Sequence, residues 1–133
     1  MGVDYYFNKD APAIPIPVEL TGPKGSIVVH AVLTTGSTYC MVPPEIVASI
    51  GLNPAKPDKH ALIVHQNGTL NAPIVRIPTV TVLGRKATDI AVACASPPEE
   101  SRICVALGLS FLRHFRVVLD HQMGQFQLLE SEV

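Results

Sequence analysis

Apolar residues in this chain recur at two-residue spacing far more often than at helical spacing. Residues 14–20 alternate Ile, Val and Leu with Pro15, Pro17 and Glu19, and prolines in that place suit the start or edge of a sheet. A turn over residues 21–25, carrying Gly22, Pro23 and Gly25, leads to a buried strand at residues 26–33. A second small-residue turn at 34–37 precedes a short strand at 39–42. Pro43-Pro44-Glu45 then opens a helix expected to reach about Ile50. Proline fits the first helical turn, Glu45 complements the positive helix end, and Gly51 supplies the stop.

Residues 61–66 and 69–77 flank Asn67-Gly68, a strong hairpin signal because both residues tolerate positive φ. Further strands are expected at 80–83 and 87–94, turning at 84–86, with a polar loop at 96–101 and a short strand at 105–107. Residues 109–115 have helical spacing, and 116–119 with 125–129 form a last hairpin around 120–124. The pattern predicts a mainly β domain with two short helices and no internal repeat.

Composition narrows this to one globular domain. The chain has 133 residues, 47% of them hydrophobic and 16% charged, with a net charge of −1. Such a balance attracts neither a phosphate backbone nor an anionic membrane, so nucleic-acid and membrane partners are not expected. No apolar run approaches the roughly 18 residues of a membrane span. The first ten residues carry no signal-peptide pattern, and Tyr6 breaks the myristoylation pattern that Met1-Gly2 begins. Cys40, Cys94 and Cys104 are odd in number and form no C-x-x-C pair, so reduced thiols and a cytoplasmic location are expected.

Two segments carry the chemistry. In the first, Ala31-Val32-Leu33 enters Thr34-Thr35-Gly36-Ser37, followed by Val42 and a helix ending in Ile50-Gly51-Leu52. The second is Val105-Ala106-Leu107-Gly108-Leu109-Ser110-Phe111-Leu112, continuing to Val117-Val118-Leu119-Asp120. In order and separation they resemble the retropepsin-like aspartic peptidases. There, a strand delivers Asp-Thr/Ser-Gly to the active site and a later hydrophobic-hydrophobic-Gly threads beside it. The resemblance spans residues 14–129, leaving an N-terminal extension (1–13) and a C-terminal tail (130–133). It implies an all-β fold, a closed or partly open acid-protease barrel with one or two short helices and a β-hairpin flap over bound peptide. It also implies a homodimer with the site on its two-fold axis, a peptide or protein substrate, and no cofactor or metal.

The resemblance places Thr34 at the position of the catalytic aspartate, with Thr35 and Gly36 completing the catalytic loop. Thr35 would hydrogen-bond across the dimer, Gly36 would allow a tight backbone, and Ser37 would bond the residue before it. Ser37 with Gln66, Asn67, Gly68 and Thr69 of the hairpin would contact substrate. In this family two carboxylates about 3 Å apart share one proton, one activating water and the other protonating the oxyanion. A threonine hydroxyl does not titrate in the working range and is no useful general base. Two functions follow: an aspartic endopeptidase subunit inactive as written, or a pseudopeptidase serving as a peptide-binding or dimeric interaction module.

No other acid is placed to substitute. Asp120 is expected to organise the last turn, Asp89 to face solvent, and Asp58 and Glu45 to sit beside prolines on polar segments. His60 and His65, five apart on a strand, would point to opposite faces and so make no metal pair. Asn67-Gly68-Thr69 matches a glycosylation sequon, but a hairpin turn accounts for it.

Overall fold

A computed structural model describes residues 3–65, 68–95 and 105–130 of the chain. Seven strands form one sheet: β2 (Pro15–Gly22), β3 (Gly25–Leu33), β4 (Cys40–Val42), β5 (Lys59–His65), β6 (Gly68–Val82), β7 (Arg85–Cys94) and β8 (Val105–Leu107). Their order is β2-β3-β8-β4-β7-β6-β5, and β6 also pairs with β2, so six strands close a barrel and β5 extends from it. A separate sheet holds β1 (Val3–Tyr6), β10 (Gln125–Glu130) and β9 (Phe115–Asp120), in that order. The fold is the mainly β domain with two short helices that the sequence pattern predicts, closed into the barrel that the resemblance implies.

The alternation along β2 buries Ile16, Val18 and Leu20 in the barrel interior. There they meet Val42, Ile77, Val80, Val82, Ile90, Val92, Leu107 and Phe111, all nearly inaccessible to solvent. Phe126 and Leu128 from β10 join the same cluster, which ties the terminal sheet to the barrel. Phe126 is fully buried, so Phe126→Ala is expected to lower unfolding stability by about 3–5 kcal/mol, read from urea denaturation. Arg85 adds a polar tie: its Nε donates to the Leu128 carbonyl at 3.3 Å and its Nη1 meets Glu130 Oε1 at 2.8 Å.

Helix α1 (Pro44–Ser49) has Pro44 in its first turn and Glu45 beside its positive end; Gly51 after it adopts φ 96°. Gly51 and Gly22 let this helix end close against the β2–β3 turn, where Lys24 N–H donates to the Ile50 carbonyl at 3.0 Å. Burial of Val47 faces the helix inward.

Four local expectations change. The expected strands at 69–77 and 80–83 merge into one continuous strand, β6, which ends at Val82. Pro78 donates no hydrogen bond, and the ladder to β7 skips it, with Asp89 opposite taking φ 57°. Arg76 steadies that irregularity by bonding Asp58 Oδ2 at 2.8 Å and Asp89 Oδ2 at 3.3 Å, two exposed ion pairs that solvent screens. The β6–β7 turn is Leu83-Gly84 rather than 84–86, with φ 51° and 77°, the mirror-image geometry a two-residue hairpin favours. Helix α2 is only Leu109–Leu112, because Phe115, whose ring packs 5.0 Å from that of Phe111, is drawn into β9. Finally, Val3–Tyr6, within the expected N-terminal extension, pairs antiparallel with β10 of the same chain, so β10 is paired on both edges.

Cys40 and Cys94 are buried free thiols. Cys104 and the expected 96–101 loop lie outside the described residues. Among the described residues, no helix is long and apolar enough to cross a membrane, and no three His, Cys, Asp or Glu side chains are grouped to hold a metal ion.

Candidate active site

The turn at residues 34–37 is held from below by strand β8. Ala31, Val32 and Leu33 pair in parallel with Val105, Ala106 and Leu107, and Met41 of β4 pairs with Ala106 from the other side. β8 therefore threads between the strand that enters the turn and the strand that leaves it. Thr34 N–H donates to the Leu107 carbonyl at 3.0 Å, and Leu109 N–H donates to the Ser37 carbonyl at 2.9 Å. Gly108 sits where a Cβ would lie 2.5 Å from the Tyr39 carbonyl oxygen and 2.9 Å from that of Ser37. Only glycine lets the two segments touch.

Within the turn, Thr34 Oγ1 accepts a hydrogen bond from Gly36 N–H at 3.2 Å. A short hydroxyl side chain thus caps the turn locally. Thr35 is exposed, and among the described residues no hydrogen bond holds its hydroxyl. The Ser37 hydroxyl donates forward to the Tyr39 carbonyl at 2.7 Å, not back to the residue before it. The loop rises and turns at that point, which brings the Tyr39 carbonyl within reach. Gly36 is not in the left-handed region, and a Cβ there would meet only Thr34 Oγ1 at an ordinary 3.7 Å. Among the described residues, no contact at Gly36 demands a glycine.

Above the turn lies a cleft of about 380 Å³ lined by Gly36, Ser37, Thr38, Tyr39, Met41, Leu62 and Ile63. The hairpin of β5 and β6 forms its other wall, in the register Leu62 opposite Asn71 and Ile63 opposite Leu70. Leu62 is 66% exposed and Leu70 40% exposed, an unusual outlay of apolar surface for a strand pair. Among the described residues no charged side chain lines the cleft, although Lys59 Nζ stands 5.8 Å from the centre of the Tyr39 ring.

Comparison with known proteins fits this geometry. Residues 24–114, more than half the chain, match the family described as "gag-polyprotein putative aspartyl protease". The chain belongs to this retropepsin-like aspartic protease family. A solved structure titled as a retropepsin-like aspartic protease from Rickettsia conorii superposes with a TM-score of 0.69. That match covers 96% of this chain and 98% of that one at 16% sequence identity, a likeness of fold. No curated protein sequence matches the chain.

For this member of the aspartic protease family, the residues expected to form a site are distributed as follows. Thr34, Thr35, Gly36 and Ser37 occupy one turn, and Gly36 and Ser37 line the cleft. Gly68 and Thr69 begin β6 at the far end of the hairpin, exposed and outside the cleft lining. Gln66 and Asn67 lie outside the described residues. The acids set aside in the sequence stay apart: Asp120 Oδ1 accepts the N–H groups of Gln122 and Met123 at 3.0 and 2.9 Å, organising its turn. Asp58 and Asp89 are engaged by Arg76.

Five lining residues escaped the sequence reading: Tyr39, Met41, Leu62, Ile63 and Thr38. A signal for the first two existed, since Tyr39-Cys40-Met41-Val42 alternates with Cys40 and Val42 buried. Which residues of β5 overhang the turn is set by tertiary packing alone.

Proposed function

We propose that this chain is a subunit of an aspartic-endopeptidase-type homodimer that binds peptide in the cleft above Thr34 but does not hydrolyse it. One observation carries the reading. The side chain at Thr34 is a hydroxyl that accepts the turn bond from Gly36 N–H, and a hydroxyl cannot alternate between base and acid near neutral pH. A symmetric dimer would lose both carboxylates together.

Three features support retained binding. The turn is fully braced without a carboxylate, through Leu107, Ser37 and Gly108. The cleft is lined by small, hydroxyl and apolar groups and by no charge, which suits an extended peptide offering a neutral, bulky side chain. Gly36, where an added Cβ would meet only Thr34 Oγ1 at 3.7 Å among the described residues, leaves open backbone where a ligand or partner can approach. The exposed Thr35 hydroxyl is suited to a partner across the two-fold axis, and the β5–β6 hairpin to a cover over bound peptide. A pseudopeptidase role as a peptide-binding module is the reading these features favour over a site that has simply lost its organisation.

The test uses the unmodified chain with a panel of fluorescein-labelled decapeptides. Binding to peptides with a large apolar residue, without cleavage on prolonged incubation, is expected. Sedimentation should give twice the 14.3 kDa chain mass. Hydrolysis by the unmodified chain that resists aspartic-protease inhibitors, or a strictly monomeric protein, would overturn the proposal.

A further inference from the structure

We propose that Ser110, which lines no part of the cleft, is a positioning residue that fixes the cleft wall of Tyr39 and Met41 against the 107–110 segment. This deepens the peptide-binding reading above and rests on it. Cys40 stands between the two wall residues, and its own side chain points inward, 4% exposed. Its backbone N–H donates to Ser110 Oγ at 2.9 Å, across 70 residues of sequence.

The same hydroxyl lies 3.4 Å from Cys40 Sγ, which also accepts from Gly108 N–H at 3.3 Å. A hydroxyl has one proton. With its oxygen accepting from Cys40 N–H, that proton goes to the sulfur, and the thiol hydrogen faces the Gly108 carbonyl at 3.9 Å. The result is a closed ring of bonds between β4 and the start of α2.

Ser110 thus adds, at the first residue of β4, a side-chain acceptor to the ladders that pair β4 with β7 and pair Met41 with Ala106 of β8. An alanine at 110 leaves the Cys40 N–H buried without an acceptor, so the start of β4 must shift to satisfy it. Tyr39 and Met41 move with it, while Thr34 and Ser37 keep their own bonds to Leu107 and Leu109. The cleft changes shape but the turn survives. A threonine at 110 keeps the hydroxyl and its two partners.

The experiment compares Ser110→Ala and Ser110→Thr with the unmodified chain. Affinity for the tightest peptide of the decapeptide panel is measured well below each protein's unfolding temperature. Ser110→Ala is expected to weaken binding about tenfold, equivalent to about 1.4 kcal/mol, and Ser110→Thr to stay within about twofold of the unmodified chain. Backbone amide NMR signals of Tyr39 and Met41 should shift in Ser110→Ala and not in Ser110→Thr. Unchanged affinity and unchanged signals in a folded but less stable Ser110→Ala would show a merely structural role and overturn the proposal.

Two readouts keep it falsifiable on their own. In the unmodified chain the Cys40 amide should exchange slowly with solvent; exchange as fast as an exposed loop amide would overturn the proposal even if Ser110→Ala does not fold. Should the unmodified chain bind no peptide of the panel, the binding reading fails, and the amide shifts alone decide whether Ser110 positions the wall.

Discussion

Thr34→Asp is expected to give the protein a peptidase activity that the threonine chain lacks. Each acid–base group is typically worth about 10²–10⁴-fold, and a symmetric dimer regains two at once. The structure shows why the turn would accept the change. Thr34 Oγ1 already receives the Gly36 N–H at 3.2 Å, and a carboxylate oxygen in that place receives the same bond with charge assistance. Thr34 N–H remains tied to Leu107, so the backbone needs no rebuilding. Two aspartates facing each other cannot both ionise cheaply, so the pair titrates in two separated steps. Activity requires the singly protonated pair. It should therefore rise as pH falls from neutral, then fall again once both carboxyls are protonated. Cleavage of a fluorogenic peptide library between pH 3 and 8, blocked by a statine-type transition-state analogue, is the measurement. A folded, dimeric Thr34→Asp variant that cleaves nothing would show that the turn does not form the site proposed for it.

How much of this was legible in the sequence depends on whether the cause is local. The strands at 14–20 and 26–33 follow from period-two alternation and turn residues, and the helix after Pro43-Pro44 follows from its end signals. All three stand in the structure. Two strands are expected where β6 is one, and the break between them falls at Pro78, which has no N–H for the ladder. The continuity of β6 depends on Asp89, a residue on another strand that takes up the mismatch at φ 57°. Helix α2 stops after one turn because Phe115 has a better place in β9 than in a helix, and apolar spacing cannot distinguish the two. Thr34 and its turn were legible because the resemblance rests on contiguous residues. The bond from Cys40 to Ser110 was not, since it joins positions 70 apart through a side chain that local pattern leaves unassigned.

The second large effect concerns Gly108. Its backbone is extended, φ −111° and ψ −168°, a conformation open to any residue, so Gly108→Ala is costly for steric reasons alone. The added Cβ would stand 2.5 Å from the Tyr39 carbonyl oxygen and 2.9 Å from that of Ser37. Both are backbone atoms in a braced turn, so no side chain can swing aside. Relief requires the 37–40 segment to lift from the 107–110 segment, which strains the Leu109–Ser37 and Gly108–Cys40 bonds together. Overpacking of about 1–3 kcal/mol, joined by a buried donor left unpaired at about 1–3 kcal/mol, gives an expected loss of about 2–6 kcal/mol. Gly36→Ala is the control. Its Cβ meets only Thr34 Oγ1 at 3.7 Å, so stability should stay within about 0.5 kcal/mol, while peptide affinity falls because the methyl group stands in the cleft. Urea unfolding of both variants, with the slope unchanged, separates the outcomes. Equal midpoints for Gly108→Ala and the unmodified chain would mean that the two segments do not lie in contact, and the site would have no floor on which to hold a peptide.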